Sequence, residues 1–150
     1  MLEVYIDADA CPVKDETYRV ALRHGFPVWV VANQYIQTPR EGDVKLVTVK
    51  RGEDSADDWI AERAGPGDIV ITADIPLASR ALARGARVLG PRGREFDAEG
   101  IGDALASREL SSQLREMGVQ TGGPPPFTKQ DRSAFLNRLD ALAHAVKRGR

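Results

Sequence analysis

The stretch Asp68-Ile69-Val70-Ile71-Thr72-Ala73-Asp74-Ile75-Pro76-Leu77-Ala78, continued through Gly85 to Arg87-Val88-Leu89, decides the fold. Asp68 to Ala73 is a short apolar run rich in β-branched residues. Ile75 to Arg84 has the composition of a helix closed by Gly85, and Arg87 to Leu89 is again a β-former run. Strand, helix and strand in so few residues imply a crossover between parallel neighbours. The pattern repeats outward. Leu2 to Asp7 reads as a first strand, Pro12 to Arg23 as a helix with Pro in its first turn and Gly25 at its end, and Pro27 to Ala32 as a strand buried on both faces. Val44 to Val49 is a third strand and Asp54 to Ala64 a short helix. The expectation is a three-layer α/β/α domain around a mostly parallel sheet of about five strands.

The remainder reads differently. Asp97 to Met117 is expected to be helical, broken near Gly100 and Gly102. Gly122-Gly123-Pro124-Pro125-Pro126 excludes helix and central strand, so 121–126 reads as a stiff connector. Thr128 to Lys147 is then an amphipathic helix with Phe135, Leu139, Leu142 and Val146 on one face, and Thr128 with Asp131 has capping-box spacing. Residues 1–150 are thus expected to form a single domain, with 1–96 as the α/β core and 97–150 as a C-terminal helical extension. The tail Lys147-Arg148-Gly149-Arg150 is basic and expected to fray.

With 150 residues, 42% of them hydrophobic and 29% charged, the composition suits one soluble domain. The net charge of −1 supplies no global field toward nucleic acid or a membrane, although a local patch can serve. Cys11 is the single cysteine, which excludes an internal disulfide. Together with the lack of a signal-like start or a long apolar run, it gives a cytoplasmic expectation with no membrane partner.

In open parallel sheets, ligands bind beyond the carboxyl ends of the strands. Strand one ends in Asp7-Ala8-Asp9, strand four ends in Thr72-Ala73-Asp74, and strand three is followed by Asp54-Ser55-Ala56-Asp57-Asp58. Clustered carboxylates repel one another unless something compensates. Mg²⁺ or Mn²⁺ is the natural compensator, and such ions support phosphoryl chemistry. Asp is also favoured at helix starts, so Asp54, Asp57, Asp58 and Asp74 have a capping role as their alternative. Asp7 and Asp9 follow an apolar strand and have no such alternative.

The run Asp7-Ala8-Asp9-Ala10-Cys11-Pro12 resembles the N-terminal signature of the YaiI/YqxD family of uncharacterised bacterial proteins. So do Gly67 to Ala78 and Gly122 to Phe127 with Asp131-Arg132. The run Ile71 to Ala78 also resembles the strand-four motif of PIN-like nucleases. That resemblance implies a divalent-metal-dependent nuclease acting on RNA or DNA. Asp7 and Asp74 would be the strand-end acids, Asp57 or Asp58 the middle acid, and Asp9 a further ligand or the group orienting the water. The Gly-Pro connector and long final helix depart from the PIN pattern.

Two rival readings remain. Asp7-x-Asp9 also resembles haloacid-dehalogenase-type phosphatases, in which Asp7 would be the nucleophile, Asp9 the acid/base and Thr72 the second motif. No convincing Lys and acid pair follows in order; Lys129 and Asp131 are the only candidates, and they lie on the capping turn. A non-catalytic module binding RNA or protein through the same face is the other. Arg80, Arg84, Arg92, Lys129 and Arg132 are candidate phosphate contacts, and Gly90 to Arg94 reads as a flexible basic loop. Cys11 fails the Cys-x5-Arg pattern of thiol phosphatases, because the sixth residue after it is Thr17. His24 and His144 are far apart and carry no partner pattern, so they read as surface or helix-end residues.

Overall fold

The computed structural model describes residues 2–50, 55–102 and 126–148. Its elements in chain order are β1 (Val4–Asp7), a 3-10 turn (Ala8–Ala10), α1 (Lys14–His24), β2 (Val28–Ala32), β3 (Val44–Thr48), α2 (Ala56–Arg63), β4 (Ile69–Ile71), α3 (Ile75–Ala83), β5 (Arg87–Leu89), β6 (Glu95–Phe96) and α4 (Lys129–Lys147). The sheet has six strands in the order β3-β2-β1-β4-β5-β6, parallel except for β6.

Alternation along the strands fills both faces. Val4, Ile6, Val28, Val30, Ile69 and Ile71 pack with α1 and with Phe135, Leu139 and Leu142 of α4. Tyr5, Val31, Val70 and Val88 face the other way, onto Ile60 of α2 and Leu77, Ala78 and Ala81 of α3. Helices therefore cover both faces, which gives three layers. The residues of the central strands β1 and β4 are almost all buried because helices cover both faces there, whereas β3 at the edge is half-buried to exposed.

Local signals set the boundaries. Gly25 closes α1 in the left-handed conformation at φ 76°. Thr128 and Asp131 form the expected reciprocal capping box at the start of α4. Phe135, Leu139 and Leu142 are buried and Val146 packs beside them, which is the face the helical spacing predicts.

Some expectations change. A sixth strand, β6, pairs antiparallel with β5, so Gly90 to Arg94 is the tip of a hairpin rather than a free loop. The Gly90 and Gly93 amides close it by donating to the Arg94 and Gly90 carbonyls. Gly93 adopts φ 89°, and a Cβ there would lie 2.7 Å from the Ala134 carbonyl carbon. The hairpin tip thus rests on the backbone of α4. Residues 98–102 are helical through Gly100, so no break stands at Gly100 among the described residues. The rest of the helix expected to Met117, the connector before Pro126, and Asp54 lie outside the described residues. No helix among the described residues is long and apolar enough to cross a membrane.

Candidate functional site

The chain runs outward from β1 through β2 to β3 on one side and from β4 through β5 on the other. The order reverses between β1 and β4, and the crevice beyond their carboxyl ends is where such sheets bind ligands. A cleft of about 260 Å³ opens there, lined by Asp7, Asp9, Cys11, Thr72, Asp74 and Pro91 among others. A neighbouring hollow of about 230 Å³ shares Asp7, Asp9 and Asp74 and adds Asn33, Ser55 and Asp57.

Each carboxylate is held by its local backbone. Asp7 is the last residue of β1, and Thr72 Oγ1 donates to its Oδ2 at 2.9 Å. The same hydroxyl accepts from the Asp74 amide at 3.0 Å, so Thr72 ties the ends of β1 and β4 together. Asp74 caps α3, its Oδ1 accepting from the Leu77 amide at 3.0 Å. The capping alternative for Asp74 therefore holds, and the residue still lines the cleft. Asp9 sits on the 3-10 turn, and the Asn33 amide donates to both its oxygens at 2.9 and 3.1 Å. Asp57 accepts from the Ser55 hydroxyl in the first turn of α2.

The electrostatics follow from this crowding. Burial pushes the Asp7 carboxyl above its ordinary value, and Asp74, Asp9 and Asp57 add to the shift, while the Thr72 hydrogen bond opposes it. Burial likewise raises the Cys11 thiol, which makes it a poor nucleophile.

The candidates separate on this geometry. Asp7, Asp9, Asp57 and Asp74 line one contiguous site. Asp58 turns away to Arg80, Oδ1 to Nη1 at 2.7 Å, and that hydrogen bond holds its carboxyl low. Arg84 follows the C-terminus of α3 and donates to the Ala64 carbonyl at 2.8 Å, at the sheet edge opposite the cleft. Arg92 pairs with Asp131 at 2.9 Å, and Arg132 pairs with Glu16 at 3.2 Å and donates to the Pro12 carbonyl at 2.7 Å. Both guanidinium groups flank the Phe127 ring, at 5.6 and 4.9 Å from its centre. Lys129 is exposed on the first turn of α4.

Sequence reasoning did not single out Asn33, Ser55 or Lys14 as site residues. Lys14 Nζ donates to the Cys11 carbonyl at 2.8 Å, beside the cleft. Asn33 acts through its amide, which no side-chain signal marks. No three of the cleft acids bring one oxygen each within 4.8 Å of one another; among the described residues only His24, Asp140 and His144 meet that spacing. Both histidines stand at helix ends as read, but they are neither far apart nor without partners: α1 and α4 lie side by side, and their last turns bring the rings together.

Fold and site together define a three-layer α/β domain with an acidic cleft at its topological switch point. The comparisons place it more closely. Residues 5–145 match the family described as "Uncharacterized BCR, YaiI/YqxD family", and the chain belongs to that family. It is 54% identical over 145 residues to a "UPF0178 protein" of Rhodopseudomonas palustris, covering 97% of this chain and 94% of the relative. It is 55% identical over 154 aligned positions to a "UPF0178 protein" of Rhodospirillum centenum, covering both chains in full. No solved structure gives a significant match.

Proposed function

We propose that this chain is a divalent-cation-dependent phosphodiesterase acting on RNA or single-stranded DNA. The supporting observation is the convergence of Asp7, Asp9, Asp57 and Asp74 on the crevice between β1 and β4. The donor set fits Mg²⁺ or Mn²⁺, because it is made of carboxylate oxygens alone. Asp7 Oδ1 and Asp74 Oδ2 accept no hydrogen bond within the described residues, so both are available as ligands. The wide spacing suits Mg²⁺, which binds through one or two carboxylates and completes its shell with water.

Asp7 and Asp74 would hold the ion, with Asp57 at its margin. When bound, it would supply an activated water and neutralise charge on the phosphoryl oxygens. Asp9, fixed by the Asn33 amide, would orient the attacking water through a hydrogen bond. Thr72 keeps Asp7 and Asp74 in register. Lys14, Lys129 and the Arg92–Phe127–Arg132 stack would meet the phosphate backbone and a base on the cleft's α4 side. Arg84 stands too far around the sheet to take part, and Arg80 serves Asp58.

The Thr72-to-Asp7 hydrogen bond also favours a second reading, a phosphatase with Asp7 as nucleophile and Asp9 as acid/base. A nucleophile must be ionised, and the upward shift of Asp7 works against that.

The test is cleavage of labelled RNA and single-stranded DNA by the purified chain, with Mn²⁺, with chelator, and with Asp7→Asn. Cleavage that needs Mn²⁺ and Asp7 supports the proposal. Cleavage surviving both changes sinks it. Phosphate release from small esters with nucleic acid untouched favours the phosphatase, and binding without cleavage that persists in Asp7→Asn favours a non-catalytic module.

A further inference from the structure

At the far edge of the sheet from the acidic cleft, α1 and α4 end side by side. His24 is the last residue of α1, and Gly25 turns the chain sharply after it. Asp140 and His144 stand one turn apart on α4 and present adjacent side chains. His24 Nε2 lies 2.7 Å from Asp140 Oδ1, and His144 Nε2 lies 3.6 Å from Asp140 Oδ2. One ligand atom from each of the three residues falls within 4.8 Å of the others.

We propose that His24, Asp140 and His144 bind a first-row transition cation of the Zn²⁺ class, distinct from the hard cation of the cleft. Two imidazoles and a carboxylate are a donor set suited to Zn²⁺ and not to Mg²⁺. Ligands about 2.0–2.1 Å from a tetrahedral ion stand about 3.3 Å apart. The 2.7 Å contact is to Asp140 Oδ1 and the 3.6 Å contact to Oδ2, so binding through the carboxylate needs side-chain rotation from this arrangement, within the 4.8 Å spread of the three ligand atoms.

The histidines are also held in place. The His24 side chain is only 5% exposed, stacked on Phe26 at 6.0 Å and meeting His144 edge-on at 4.6 Å. Two cations are near. Arg23 Nη1 lies 3.3 Å from Asp140 Oδ1, but its side chain is 57% exposed and free to swing into water. Lys147 Nζ is spent on the His24 carbonyl at 2.8 Å. The exposed side of His144 leaves the fourth position to water. A bound ion would cross-link α1 to α4.

The test uses the untagged, chelator-stripped full chain, titrated with Zn²⁺ by calorimetry and with Co²⁺ by visible absorption. The expected result is one Zn²⁺ per chain, retained in Asp7→Asn and undisturbed by excess Mg²⁺. In His144→Ala, affinity should fall by at least the roughly 100-fold upper range for loss of a supporting residue, and the Co²⁺ spectrum should be lost. His144 is 54% exposed, so this variant keeps the fold, as circular dichroism would verify. No Zn²⁺ binding, unchanged affinity in His144→Ala, or loss of binding in Asp7→Asn each overturns the proposal, leaving an ordinary ion-paired cluster.

Discussion

Asp7→Asn is expected to make the protein more stable while removing the proposed cleavage. Asp7 is raised above its ordinary value of 3.8, chiefly by burial and further by Asp74, Asp9 and Asp57. A folded value above the unfolded one means that the ionised carboxylate costs stability. The cost is absent below the unfolded value, grows as pH rises through the folded value, and is complete above it. Each unit of such a shift is worth about 1.4 kcal/mol, and the open side of the cleft screens part of it. Asn removes the charge, and its amide oxygen still accepts from Thr72 Oγ1. For a chain of 150 residues each kcal/mol moves Tm by about 2–4 °C, so melting in chelator should rise by a few degrees. Mn²⁺ should reverse the order. A ligand at about 100 times its Kd adds roughly 2.7 kcal/mol to the form that binds it, and only the wild type would gain. Differential scanning fluorimetry of both proteins, in chelator and in Mn²⁺, from pH 7.5 downward, reads all three effects. A variant that melts below wild type in chelator, or a gap that does not shrink as pH falls, would refute the account of Asp7 as a carboxylate held under strain for ligand binding.

Asp57→Asn should depress Mn²⁺-dependent cleavage, whereas Asp58→Asn should leave it near wild type, because Asp58 is turned toward Arg80; parallel rate measurements separate the two. Arg84→Ala should leave RNA affinity unchanged in a filter-binding assay, and Lys129→Ala should weaken it and lessen its salt dependence. Phe135→Ala empties a fully buried position and should cost about 3–5 kcal/mol by urea denaturation, with only a minor loss arguing that α4 is loosely docked. Gly93→Ala combines a positive φ with a Cβ 2.7 Å from the α4 backbone, and should destabilise by more than the roughly 1 kcal/mol of an entropic Gly effect; an unchanged melting curve would contradict the packing of the hairpin on α4.

The parallel sheet was legible because its strands are continuous apolar runs closed by Gly and Pro, and that pattern follows from burial on both faces. Asp7 and Asp74 were legible for a related reason, since a charged residue directly after such a run must stand at the strand's carboxyl edge. Asp57 and Asp58 were not separable in sequence. Both lie in the first turn of α2, and which one turns to the cleft depends on where α3 places Arg80. The strand β6 was missed because Glu95-Phe96 is too short for a period to register, and only its pairing with Val88 and Leu89 defines it. The His24–Asp140–His144 cluster was invisible for a deeper reason. It joins residues 116 and more positions apart, and only the side-by-side packing of α1 and α4 creates it.

That packing also explains why the final helix carries weight at both edges of the sheet. With 19 residues, α4 is about 28 Å long and spans the domain from one edge to the other. Its first turn is fixed at the cleft by Arg92 to Asp131, by Arg132 to Pro12 and Glu16, and by the hairpin tip resting on Ala134. Its middle supplies Phe135 and Leu139 to the core under β1 and β2. Its last turns carry Asp140 and His144 to His24. A helix pinned at three levels is a rigid strut, so the Arg92–Phe127–Arg132 stack is set against the acids of β1 and β4 by the core itself. The basic surface that the proposed reaction needs is therefore positioned by burial of Phe135 and Leu139 as well as by its ion pairs, and it should persist in high salt, where screening removes most of the contribution of those pairs.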